Sequence, residues 1–205
     1  MRTLSLLLCI GGIVHAQEPT DIPRAALVAL VPSPTGVRET RKYERYVIHG
    51  ASVGELTEEM RTLGPHDEDE IAPALTRSDR RASLDFRGDS RGCRISDVTV
   101  ALDVTIILPV WDIPHDASAA LRAEWDRFLG ALVRHELGHR AIALGGAQRL
   151  GQTLARLRGR TCDEVRTAAQ YASRDEAAAT RAAQSAYDDS TSHGIKQGTS
   201  FGNVR

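Results

Sequence analysis

The chain has 205 residues, 41% hydrophobic and 26% charged, with a formal net charge of −1. That composition fits a globular domain with a core and excludes a disordered or membrane-embedded chain. No basic block stands out, which argues against nucleic acid as a partner.

The first residues, "MRTLSLLLCIGGIVHAQ", stand apart. Arg2 is a basic start, residues 4–14 are an apolar run, and Val14-His15-Ala16 is a small-residue cleavage pattern. They read as a signal peptide over 1–16, so the mature chain is expected in the periplasm or secreted. The run is too short to cross a bilayer, so no stable membrane insertion is expected. Cys9 leaves with the signal. Cys93 and Cys162 remain, an even pair in an exported chain, and a disulfide between them is expected.

Residues 17–40 are rich in Pro, Thr and small side chains and read as a loosely ordered arm. Residues 41–205 form a single domain. "KYERYVIHG" (42–50) reads as a strand ending at Gly50. Ser52 and Glu55 make a capping box for a short helix over 52–64, which Gly64-Pro65 ends. "HDEDE" (66–70) reads as a solvated acidic loop. A strand follows over 74–88. In 93–111, Val98, Val100, Leu102, Val104 and Ile106 alternate onto one face, and Pro109 is expected to end that strand.

The second half is helical. Residues 116–159 carry Leu121, Trp125, Phe128, Leu129, Leu132, Ile142 and Ala143 at three–four spacing, with a kink expected at Gly145-Gly146. A second helix covers about 163–188, with Val165, Ala169, Ala172, Ala179 and Ala183 as a small-residue inner stripe. The two helices should form an antiparallel hairpin. The tail from Ser190 has no helical period. The fold class is thus α+β: an N-terminal antiparallel sheet with one short helix, then a long helix and a second antiparallel one.

The long helix contains His135-Glu136-Leu137-Gly138-His139. Residues four apart on a helix share a face, so both imidazoles can meet one ion, with Glu136 beside them to deprotonate a water. With 7 histidines in 205 residues, chance supplies such a motif only about 0.01 times. The motif continues the Trp125–Leu132 stripe and so faces the protein, while Arg127, Arg134 and Arg140 fall on other faces. A buried carboxylate needs a partner, and a cation such as Zn2+ meets that need. A catalytic zinc takes three protein ligands. Hairpin arithmetic puts Glu164 far away and Glu176 roughly 10 Å from the site. Tyr187, Asp188, Asp189 and His193 remain at the end of the second helix. His193 is favoured as third ligand, with Glu176 and Asp188 as alternatives. His49, His66 and His115 lack ligand spacing and read as non-ligands.

"WDRFLGALVRHELGHRAIA", the two cysteines, "LPVW" and "YDDSTSHGIKQG" together resemble the bacterial family catalogued as domain of unknown function 922, described as predicted secreted zinc-dependent proteases. The resemblance covers about residues 42–201. It implies a zincin-like fold, His135, His139 and His193 as metal ligands, and a catalytic Glu136. Family members tend to carry tryptophan near residues 77–85, where this chain reads "RSDRRASLDF". The expected function is an exported zinc metallopeptidase acting on a peptide or protein substrate. Tyr187 is a candidate oxyanion donor, and a strand such as 94–108 a candidate edge for β-addition of the substrate. The alternative is a non-catalytic, zinc-stabilised envelope module, which a fourth protein ligand such as Asp188 would favour.

Overall fold

A computed structural model describes residues 36–67 and 70–202. The expected signal peptide and most of the expected arm lie outside these residues. Strand β1 (Val37–Ile48) begins within the arm's expected span, so residues 37–40 are paired strand. Helix α1 (Val53–Leu63) is capped as its sequence requires: Ser52 accepts from the Glu55 N–H, and the Glu55 carboxylate accepts from Ala51 N–H at 2.6 Å. A short hairpin of β2 (His66–Asp67) and β3 (Glu70–Ile71) flanks the two undescribed residues of the acidic segment.

The main sheet has the order β1-β5-β4, with β4 spanning Leu75–Asp89 and β5 spanning Gly92–Trp111. It is mixed rather than antiparallel, because β1 runs parallel to β5 while β4 runs antiparallel to it. The β1–β5 connection carries α1 and β4, long enough to return the chain in the same direction. β5 continues through Pro109 to Trp111, where a stop was expected. The N–H groups of Val100 and Asp112 both point to the β1 side, so alternation turns position 109 the other way. There β4 has already ended, at Leu75 opposite Ile107, and no ladder donor is missing.

The alternating face of β5 is the core. Val100, Leu102, Val104 and Ile106 are at most 2% exposed and pack against α2 (Ala119–Ala155). Leu121, Trp125, Phe128, Leu129 and Leu132 of α2 close over them, matching the three–four periodicity. Helix α2 runs unbroken through Gly145-Gly146. The close approach of Thr180 at Gly146, where a Cβ would collide with its hydroxyl, gives that glycine another reason to be there.

Helix α3 (Cys162–Thr191) returns antiparallel to α2 after β6 (Arg158–Gly159), which pairs with Cys93–Arg94 of β5. Its inner stripe is apolar only at the start. Val165 and Ala169 are buried, but Ala179 is exposed, and Glu176, Thr180, Gln184 and Tyr187 turn toward α2 instead. The face turns polar where it meets the two histidines. The Cys93–Cys162 disulfide joins the start of β5 to the start of α3 across 69 residues. A loop of that length stabilises the fold by about 4 kcal/mol in the chain-entropy picture.

A buried ion pair joins α2 to β1. Arg140 is buried and holds the Glu39 carboxylate of β1 through Nε and Nη2, both at 2.6 Å. It was expected off the face that carries the two histidines. It faces β1, where Glu39 meets it.

Candidate metal centre

His135 and His139 lie one turn apart on α2 and point the same way, toward α3. Their Nε2 atoms are 3.1 Å apart. Asp188 of α3 closes the triangle, with Oδ1 3.3 Å from His135 Nε2 and 3.0 Å from His139 Nε2. His135, His139 and Asp188 form the one group of potential metal ligands among the described residues.

The surrounding hydrogen bonds decide which ring nitrogens carry protons. Gln184 donates through Nε2 to the His139 carbonyl at 3.0 Å, so its Oε1 faces His139 Nδ1 at 2.7 Å and must accept. Tyr187 donates to the His135 carbonyl at 3.3 Å and accepts from Gln197 Nε2 at 3.0 Å. That orientation turns Gln197 Oε1 to His135 Nδ1 at 3.0 Å. Both Nδ1 atoms are therefore donors and both Nε2 atoms present lone pairs. Burial also lowers the His135 pKa, favouring its neutral form. Two lone pairs and a carboxylate oxygen thus converge with no hydrogen between them, an arrangement that repels itself unless a proton or cation sits there. Tetrahedral N and O donors bonded at ~2.0–2.1 Å stand about 3.3 Å apart, close to the three separations here. The donor set fits a divalent cation such as Zn2+, and the two glutamines occupy the place of outer-shell partners that fix imidazole orientation.

Glu136 is 4% exposed and accepts from Thr76 of β4, Oγ1 to Oε2, at 2.7 Å. Burial pushes its carboxyl up to about 7, partly opposed by the Thr76 hydrogen bond. His139, Asp188 and Asp67 all act on it electrostatically, so it borders the ligand cluster.

His193 is not brought to this group. α3 runs three residues past its expected end. The chain then turns through left-handed Ser192 and His193, with the His193 N–H bonded back to the Asp188 carbonyl at 2.8 Å. The His193 side chain is exposed. What packs on the His135 ring is Gly194, at φ +80°, where a Cβ would stand 3.0 Å from His135 Cγ. The tail motif reaches the site through Gly194 and Gln197, not through its histidine. Glu176 is also elsewhere, paired with Arg149 at 2.8 Å.

Tyr187 does reach the histidines, but by its ring, which stacks on His135 at 5.1 Å and meets His139 edge-on at 5.0 Å. Its hydroxyl is held by the His135 carbonyl and Gln197, so the geometry makes it a brace for His135 in place of the expected oxyanion donor. Gly138 makes room for that ring, since a Cβ there would collide with its hydroxyl and ring edge. Gly138→Ala is expected to cost about 1–3 kcal/mol through overpacking, read as a lower melting temperature of the metal-free chain. An unchanged melting temperature would show that Tyr187 can move aside freely.

Thr76, Gln184 and Gln197 were not singled out in the sequence. Gln184 and Asp188 carried a faint signal, being four apart on one helix face as His135 and His139 are on the other.

Among the described residues no helix is long and apolar enough to cross a membrane. Comparison with curated proteins and with solved structures gives no significant match. The family model described as "Bacterial protein of unknown function (DUF922)" matches residues 43–194, which include every member of the ligand cluster and its brace up to Gly194. The chain belongs to this DUF922 family.

Proposed function

We propose that this chain is an exported zinc-dependent metallopeptidase of zincin-like type, with His135, His139 and Asp188 as protein ligands and Glu136 as general base. One observation carries the reading: three acceptor atoms converge at 3.0–3.3 Å beside a buried carboxyl. The Cys93–Cys162 disulfide is consistent with export. A bound zinc supplies Lewis acidity, lowering the pKa of a water toward ~7 and polarising a substrate carbonyl.

The chain's own residues do the rest. Gln184 and Gln197 hold the imidazoles in the tautomer that presents Nε2. Tyr187 braces His135. Thr76 binds Glu136 Oε2, leaving Oε1 to take a proton from the attacking water and pass it to the leaving amine. The substrate's backbone would lie on β4. The expected edge at 94–108 belongs to β5, which is central and paired on both sides over most of that length, whereas β4 has one open edge among the described residues and carries Thr76. A set of three protein ligands among the described residues favours the enzyme over the closed four-ligand site of a structural zinc module.

The test is metal content of the purified chain after zinc loading and dialysis. Wild type is expected to keep one zinc per chain, Asp188→Asn to lose it, and His193→Ala to keep it. Retention by Asp188→Asn with loss in His193→Ala would reverse the ligand assignment, and no zinc in wild type would remove the metal.

A further inference from the structure

The ligand cluster sits at one end of a longer feature. Between the helix-facing side of β4 and helix α3 runs a groove of about 900 Å³. Its floor is apolar, with Ala82, Leu84 and Leu102 among its residues. Its rim is cationic. Arg80 comes from β4 and Arg166, Arg174 and Arg181 from α3, while Asp79 is the one acidic residue in the lining. In a chain of net charge −1, that is a strong local excess. A cleft of one charge sign over an apolar wall focuses its field on whatever enters.

These guanidiniums differ in their commitments. Arg166 pairs with Asp163 and lies over the Phe86 ring at 5.1 Å. Arg80 is half-buried, near Glu176. Arg174 and Arg181 are exposed and make no ion pair among the described residues. The helical rise separates Arg166 from Arg181 by about 22 Å along α3, the length of roughly seven residues of extended chain.

β4 has the matching backbone. Among the described residues it pairs with β5 alone, so its other edge offers unpaired N–H and C=O groups. Ser78 and Asp79, neighbours that point to opposite faces of β4, both line the groove, so the groove reaches that edge. Thr76, two residues before Ser78 on the same face, is the partner of Glu136, and Gln184 stands one turn beyond Thr180 of the groove. The groove therefore leads into the cluster. An open edge strand favours a peptide over a nucleic acid, and the Phe86 ring, which would be needed for base stacking, is already covered by Arg166.

We propose that this groove binds an extended acidic peptide segment, its backbone along the β4 edge and its carboxylates on Arg80, Arg174 and Arg181. That such a segment is then substrate rests on the peptidase reading; the binding does not. The field of the guanidiniums selects acidic side chains on the helix-facing side of the added strand, and the alternate residues turn to the other face of the sheet.

The test uses the full chain carrying Glu136→Gln, so that a bound peptide is not consumed. Its probes are a fluorescein-labelled ten-residue peptide of alternating Glu and Val, and the same peptide with Gln for Glu. Anisotropy titrations are expected to show the Glu peptide binding at least ~10-fold tighter at low salt, with the difference shrinking as salt rises. Adding Arg174→Gln and Arg181→Gln is expected to remove most of that preference, while circular dichroism shows the fold unchanged. Equal binding of the two peptides, or an unaffected preference in the double-arginine variant, overturns the proposal. So does a labelled oligogalacturonate of equal charge that binds as tightly as the Glu peptide, since it has no amide backbone for β4. Cleavage by the wild-type chain is scored separately. Tight binding without cleavage upholds the groove and sinks the peptidase reading. Cleavage of both peptides with equal binding does the reverse.

Discussion

Replacing Glu136 with glutamine is expected to lower peptide hydrolysis by about 10²–10⁴-fold, the usual contribution of a positioned general base, while zinc stays bound. Glutamine keeps the shape and can still accept from Thr76, but it cannot take a proton. The measurement pairs initial rates on fluorescein-casein with zinc content of the same samples. A variant that cleaves at the wild-type rate would take Glu136 out of the chemistry. A variant that loses its zinc would show that Glu136 acts on the ligands.

The same substitution isolates a pH effect in the metal-free chain. The Glu136 carboxyl is pushed up to about 7 in the fold by burial, against about 4.3 when unfolded. Between these values the folded state holds a proton that the unfolded state has released. Stability therefore falls as pH rises through this window, by on the order of 4 kcal/mol. His135 works in the opposite direction, because burial lowers its pKa. Subtracting the Glu136→Gln profile from that of wild type leaves the carboxyl's share. Urea unfolding from pH 4 to 8 reads it, and a difference that does not fall with rising pH contradicts the burial account.

Arg140→Met is expected to destabilise the fold by about 3 kcal/mol, because the buried Glu39 carboxylate loses two charge-assisted hydrogen bonds. Both side chains of the pair are no more than 5% exposed. The pair also fixes how α2 is rotated against the sheet, one residue from His139. Replacing Glu39 and Arg140 together with methionine should recover much of the loss, because the buried carboxylate goes with the guanidinium that held it. Urea midpoints of wild type and the two variants decide it. A single variant within 1 kcal/mol of wild type would mean that water or Arg41, 3.3 Å from Glu39, compensates.

Local patterns in the chain were enough for most elements. The alternation of Val98 to Ile106 and the stripe from Leu121 to Leu132 state their partners' faces directly, because a strand repeats every two residues and a helix every 3.6. Ser52 with Glu55 states the start of α1, and two cysteines in an exported reading state a bridge. The motif alone put His135, Glu136 and His139 on one inward face. Direction and register were not so encoded. Whether β1 runs parallel or antiparallel to β5 depends on the path of the intervening chain, and the fate of Pro109 depends on where β4 stops.

The third ligand shows the same division. The sequence brought the end of α3 to the histidines by rise per residue, but it could not say how far α3 continues. Three further residues of helix place Asp188 on the inner face and spend His193 on the left-handed turn that ends it. Thr76, Gln184 and Gln197 lie 60, 45 and 62 residues from the side chains they hold. No local periodicity records such contacts. What the sequence by itself determined is the set of elements, the inward face of α2 and the cysteine pair. The tertiary structure alone decided which carboxylate joins the histidines and which amides fix their tautomers, because those choices depend on helix end and register, set by packing across the whole sheet.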